Sequence, residues 1–180
     1  MQKKSTGWGW PLLLTHWLSA VALIGLFALG WWMVDLTYYS DWYKTAPHIH
    51  KSVGILLALL TLARIGWRIS RGRPEAIGKA WEIRLSHFVH ILIYLLLITI
   101  FTSGYLISTA DGSAIDVFNW FSVPGLGEFV ENQEDLAGEF HEYLAYGLMG
   151  LVLLHTAGAL KHHFLDKDKT LIRMLKPKER

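Results

Sequence analysis

His141 and His155 stand 14 residues apart within one long apolar stretch. At about 100° per residue on an α-helix, 14 residues fall roughly 40° short of whole turns, so both imidazoles lie on one stripe, about 21 Å apart in rise. That rise covers most of a hydrocarbon layer ~30 Å thick. Ionisable groups inside a membrane helix are expensive and mark functional sites by default. The chemistry such a spacing could serve is a pair of haems stacked across a membrane. The competing reading is two histidines that snorkel to the interface or hydrogen-bond to neighbouring helices.

Composition defines the elements that must hold these residues. Of 180 residues, 52% are hydrophobic, with 9 Trp, 7 Tyr and 8 Phe. Mean hydropathy is +0.30, and a soluble domain of this size would expose too much apolar surface. Four apolar spans run from about Leu12 to Val34, His50 to Trp67, Leu85 to Ser108 and His141 to Phe164. Each approaches the roughly 17–25 residues of a membrane helix. The expected fold class is all-α, a single integral-membrane four-helix bundle occupying the whole chain. Trp10, Trp17, Trp31, Trp32, Trp42, Trp67, Trp81 and Trp120 gather at span ends, as aromatic belts do. The absence of Cys excludes disulfides, iron–sulfur clusters, thiolate haem ligation and covalent c-type attachment. The first span has no small-residue cleavage site behind it and is expected to remain as an anchor. No internal repeat, low-complexity tract, phosphate-binding glycine loop or catalytic serine motif is evident, and no nucleic-acid partner is expected.

Charge is informative as a distribution. Lys3 and Lys4 precede the first span, while Arg64, Arg68, Arg71, Arg73, Lys79 and Arg84 gather between the second and third. The tail carries Lys161, Lys167, Lys169, Arg173, Lys176, Lys178 and Arg180, and only Lys44 and Lys51 remain for the other side. The positive-inside rule therefore puts both termini in the cytoplasm. The loop at 109–138 then faces outside, with Asp111, Asp116, Glu128, Glu131, Glu134 and Asp135 and no Lys or Arg. Its middle, Ile115 to Phe121, reads either as a short amphipathic helix on the membrane surface or as a cap over the bundle.

Depth sorts the histidines. His50 opens the second span and His141 the fourth, both at the outer level. His16 and His155 lie at the inner level, with His90 as a competitor. A bis-histidine haem needs two imidazoles at one depth on different helices, and two such pairs result. Neutral imidazole is a strong haem-iron ligand, and two axial nitrogens leave no open position, which suits electron transfer. Gly54, Gly147, Gly150 and Gly158 would admit a flat macrocycle or simply allow close helix packing. Lys51, Arg64 and Arg68 lie where propionates would emerge, and interfacial anchoring is the alternative. His87 and His90 either line a quinone pocket or hydrogen-bond within the bundle. His162 and His163 read as interfacial, and His48 as a loop residue near the outer haem edge.

The motifs Thr15-His16-Trp17, Ile49-His50-Lys51-Ser52-Val53-Gly54, His87-Phe88-Val89-His90 with Ile93-Tyr94-Leu95-Leu96, Phe140-His141-Glu142, Leu154-His155 and His162-His163 resemble the bacterial cytochrome b561 family. The tail from Lys167 to Met174 is similar to that family's ending as well. The resemblance covers nearly the whole chain. It implies a multi-pass protein of the bacterial inner membrane with two b haems, held by His16 and His155 on the cytoplasmic side and by His50 and His141 on the periplasmic side.

One branch of that family acts as a superoxide:ubiquinone oxidoreductase, and a similar role is the favoured expectation here. The chain departs from it in one respect, because Lys44 and Lys51 face a cluster of acids, which weakens long-range steering of an anion. An acidic outer loop could instead dock a basic soluble donor. A haem-bearing anchor subunit of a hydrogenase or other periplasmic dehydrogenase is the alternative, and a non-redox transporter or structural subunit the third reading. The ubiquinone or other quinone site is expected near the inner haem, among Trp17, Arg64, His87 and His90, where a histidine could relay protons.

Overall fold

A computed structural model describes residues 8–71 and 75–177. Lys3, Lys4, Arg73, Lys178 and Arg180 of the charge argument lie outside the described residues. The elements run α1 (Trp10–Met33), α2 (Thr45–Arg71), α3 (Ala80–Ser108), β1 (Ile115–Val117), β2 (Phe121–Val123), α4 (Gln133–Phe164) and α5 (Ile172–Leu175). The first four α-helices are long and apolar enough to cross a membrane. Leu14, Val21, Leu59, Leu62, Phe88, Leu95, Leu153 and Leu154 are exposed along them, the outward apolar face expected against lipid.

Three helices are clearly longer than the apolar spans alone suggest, α3 by the five residues from Ala80. α2 continues to Arg71, so Arg64 and Arg68 belong to the helix and not to a connecting loop. Long aliphatic stems let arginine stay helical at a span end while its head seeks polar partners. α4 begins at Gln133, with Glu134 and Asp135 in its first turn, where carboxylates favour the positive end of the helix dipole.

The helices pair as two antiparallel hairpins. α1 packs chiefly on α2 and α3 on α4, and the two pairs meet over far less of their length. Their shared core is small: Leu97, Ile100 and Leu148 are buried, with Leu23, Ile93, Leu96, Leu144 and Val152 packed around them.

The segment Ile115–Phe121 is not an amphipathic helix. It forms an antiparallel β-hairpin pairing Ile115 with Val123, Asp116 with Ser122 and Val117 with Phe121. The burial decides it: Ile115 and Val117 point inward and Asp116 outward, a period of two that suits β-branched residues in a strand. Phe118 and Asn119 take φ of 46° and 60°, and the Trp120 amide donates to the Val117 carbonyl at 2.8 Å. This is the mirror-image turn that matches strand twist. The hairpin caps the bundle: buried Ser52 on α2 donates to the Asp116 carbonyl and accepts from the Phe118 amide, both at 3.2 Å. Gln133 fastens the rest of the loop, donating to the Leu106 carbonyl at 3.1 Å and accepting from the Phe129 amide at 2.9 Å.

At the opposite end, where the described chain begins and ends, Lys161 bridges Glu82 of α3 to Asp166. The Trp17 indole donates to the Met174 carbonyl at 2.6 Å, and Arg173 donates to the Glu75 carbonyl at 2.8 Å. These bonds fold the tail back under α1 and the 75–79 connection.

Candidate metal centres

The structure brings the histidines together at two levels. At the capped end, the rings of His50 on α2 and His141 on α4 stand 6.2 Å apart with planes at 69°. At the terminal end, His16 on α1 and His155 on α4 stand 6.5 Å apart at 73°. His90 on α3 lies closer to His155, at 5.0 Å. All five rings are half-buried.

The Nδ1 surroundings of four of these imidazoles differ. His141 Nδ1 lies 3.0 Å from the Ser103 hydroxyl and 3.1 Å from the Ile100 carbonyl. Because Ser103 donates its own proton to Ile100, the arrangement puts the hydrogen of His141 on Nδ1 and leaves the Nε2 lone pair free. His50 Nδ1 is buried toward the Leu26 carbonyl without a well-aligned hydrogen bond. His90 Nδ1 donates to the Ser86 carbonyl at 2.6 Å. His16 Nδ1 faces a cation instead, with Arg64 Nη2 at 3.1 Å. A guanidinium carries only donors, so that contact uses the Nδ1 lone pair and puts the His16 proton on Nε2.

The other expected site residues separate by position. Lys51, which follows His50 in the chain, lines an open cavity of about 430 Å³ with Met33, Tyr43, Lys44, Pro47 and His48. His87 and His90 share a groove of about 450 Å³ between α2 and α3, with Arg68 and Tyr94 among isoleucine and leucine side chains. Trp17 and Arg64 do not line that groove. Trp17 packs edge-on against His16 at 5.4 Å and holds the tail, while Arg64 turns to His16. Sequence reasoning missed Tyr94 and assigned Arg68 only a propionate or anchoring role. The signal available was their placement one helical turn beyond Arg64 and His90. At the terminal end, Glu82, His162 and Asp166 also converge. There Lys161 already bonds both carboxylates and His162 Nδ1 meets Asp168 at 2.7 Å, so the group reads as a charged lock.

Four helices long and apolar enough to cross a membrane, with imidazoles paired at two levels between them, define a multi-pass membrane protein with candidate metal-ligating histidines. The chain belongs to the prokaryotic cytochrome b561 family, whose sequence profile matches residues 7–177. It is 49% identical over 162 residues to cytochrome b561 homolog 2 of Escherichia coli, covering 89% of this chain and 86% of that protein. It is 30% identical over 172 residues to the probable superoxide oxidase CybB of Yersinia pestis, covering 92% and 93%. Against cytochrome b561 homolog 1 of Escherichia coli the identity is 24% over 166 residues, covering 89% and 92%. It follows that the chain is a multi-pass electron-transfer protein of the bacterial inner membrane, and the family implies haem b as its cofactor.

The residues present fit that group. Two metal–imidazole bonds of about 2.0–2.1 Å, plus about 1.1 Å from each ligating nitrogen to its ring centre, separate two axial imidazole centroids by about 6.3 Å. The 6.5 Å and 6.2 Å pairs match this separation, and the 5.0 Å His90–His155 contact is too short for it.

Proposed function

We propose that this protein is a di-haem cytochrome that carries electrons from a periplasmic donor to the membrane quinone pool, with superoxide as the donor and ubiquinone or a related quinone as the acceptor. The observation that carries the reading is the presence of two imidazole pairs, each at an iron-spanning separation, on opposite sides of one small core. His50 and His141 would hold one haem and His16 and His155 the other. Bound there, bis-imidazole iron supplies one-electron transfer without an open coordination site. The prediction is two haem b per chain by pyridine haemochrome assay, and a value of one would overturn the pairing.

Orientation follows from charge. The end with Lys79, Arg84, Lys161, Lys167, Lys169, Arg173 and Lys176 is far more basic than the capped end, which supports termini in the cytoplasm and the hairpin in the periplasm. At the periplasmic level, Lys44, Lys51 and His48 converge on one open cavity at the start of α2, so the few cations available there act locally on an approaching anion. Ser113 donates its amide and hydroxyl to Asp111 at 2.8 and 2.9 Å. These bonds hold the Asp111 carboxyl below the usual carboxylate range, and the loop keeps its negative charge. The acidic loop favours a second reading, in which a basic soluble protein or a dehydrogenase subunit docks and supplies the electrons.

On the cytoplasmic side the chain's own residues prepare two tasks. Arg64 must leave His16 Nδ1 for His16 to coordinate through Nε2, and a propionate carboxylate is the kind of partner that would take the guanidinium. The groove between α2 and α3 offers Arg68 as a donor to a quinone carbonyl, Tyr94 as a flat neighbour, and His87 at its exposed edge for proton delivery. The balance is two superoxide anions releasing two dioxygen molecules, while one quinone gains two electrons and two cytoplasmic protons to become the quinol. Removing one hydrogen-bond donor to a bound carbonyl costs about 1–3 kcal/mol, so Arg68→Ala should slow reoxidation of the pre-reduced protein by a short-chain quinone about fivefold or more. The double variant with His87→Gln and His90→Gln should also slow it, with both haems retained. Rates unchanged in both would place the quinone elsewhere, at the periplasmic level.

A further inference from the structure

All four membrane helices repeat one interval. His16 and Gly30 on α1, His50 and Arg64 on α2, His90 and Gly104 on α3, and His141 and His155 on α4 are each 14 residues apart. The two hairpins therefore present matching positions: His16 corresponds to His90, Gly30 to Gly104 and His50 to His141, and only Arg64 against His155 breaks the match. The contacts repeat as well. A methyl group on Gly30 would lie 3.1 Å from His50 Cε1 and 3.6 Å from its Nδ1. One on Gly104 would lie 3.1 Å from His141 Cε1 and 3.4 Å from its Nδ1.

Glycine within a helix is costlier than alanine, and among the described residues these two occupy the one level where both hairpins set a histidine against the antiparallel neighbour. We infer that Gly30 and Gly104 are positioning residues for the periplasmic pair, two equivalent seats that hold the His50 and His141 rings at their 69° angle. The inference rests on the proposed ligation by these histidines and goes beyond it, since it concerns ring orientation and not which residues bind. Each seat is a close approach of ring edge to backbone, which explains glycine by contact with the imidazole itself. Gly25 is the internal contrast, since it is exposed on α1 with nothing within 4 Å of a side chain placed there.

The angle between axial ring planes sets how the iron d orbitals split, so the ferric low-spin electron paramagnetic resonance signal reads it directly. Near-perpendicular planes give a highly anisotropic signal with a large leading g value, and a turn of one ring moves that value. Gly30→Ala and Gly104→Ala are each expected to shift the periplasmic signal and leave the cytoplasmic one in place, at two haems per chain, whereas Gly25→Ala shifts neither. Selective loss of the periplasmic haem from both variants would support the seats too, by closing the same space. An unchanged periplasmic signal in either variant, or equal disturbance of both signals, overturns the inference. If the alanine variants do not accumulate, the His50→Gly protein supplied with free imidazole provides the second measurement. Its periplasmic signal should differ from wild type, because a ring released from the helix no longer rests against Gly30, and an identical signal would refute the seat. Failure of ligation itself would register separately, as a haem count that His141→Ala leaves at two.

Discussion

Replacing His141 with alanine is expected to halve the haem content and to spare the cytoplasmic haem. The side chain serves only the capped level: its ring faces His50 at 6.2 Å, and its Nδ1 is oriented by Ser103 and Ile100. Removing it leaves no stranded partner, because Ser103 already donates to the Ile100 carbonyl. The helix stays seated by Leu144 and Leu148 one and two turns further on, packed in the core that separates the levels. His155→Ala should do the reverse, removing the cytoplasmic haem and keeping the periplasmic one. His90→Ala should keep both, since its 5.0 Å approach to His155 leaves no room for an iron between the rings. Haem-to-protein ratio and the split of the reduced α-band report all three. Loss of both haems from a single replacement would show that the two pockets fold as one unit. Loss of one from His90→Ala would make it a ligand in place of His16.

How much of this could be read from the chain depends on whether the cause is local. Apolar length and the placement of Lys and Arg are local quantities, and they mark the four helices and the depth order of His16, His50, His141 and His155. The β-hairpin is harder to foresee. Ile115 to Phe121 mixes apolar and polar residues in a run too short for either period to dominate, and its outcome is set by Ser52, 64 residues upstream of Asp116. Arg64 and Arg68 look like loop charges because a charge count ignores the stems that let arginine remain in a helix. Trp17 has the right type and depth for a quinone pocket, yet its indole is committed to the Met174 carbonyl, a contact 157 residues away in sequence. The 14-residue interval is invisible as a repeat because unlike residues fill it: glycine where another helix has histidine, arginine where its counterpart has histidine. Only the contacts of Gly30 and Gly104 with the two rings give the interval a meaning.

Reversing one charge at the cavity of the capped end should separate an anionic donor from a protein donor. Lys44 and Lys51 are the lysines of that end among the described residues, and both line the cavity that also holds His48, two residues before His50. Beyond roughly 8 Å, charges are largely screened at physiological salt, so the acids of the loop and hairpin influence an approaching small anion less than Lys51 does. Lys51→Glu changes the local charge by two. At a separation of about 8 Å in water this is worth about 1 kcal/mol, which corresponds to about a fivefold slower reduction by superoxide. The wild-type rate should fall as ionic strength rises, and the variant's should rise, because screening now removes a repulsion. A basic soluble donor guided by Asp111, Glu128, Glu131 and Glu134 behaves oppositely at the protein's surface. Its encounter slows with salt in both proteins, and Lys51→Glu accelerates it. Stopped-flow reduction of both proteins across a range of salt concentrations decides between these donors by the sign of two slopes. A rate indifferent to both the substitution and the salt would sink the anion reading, leaving a neutral donor or a subunit already seated on the hairpin.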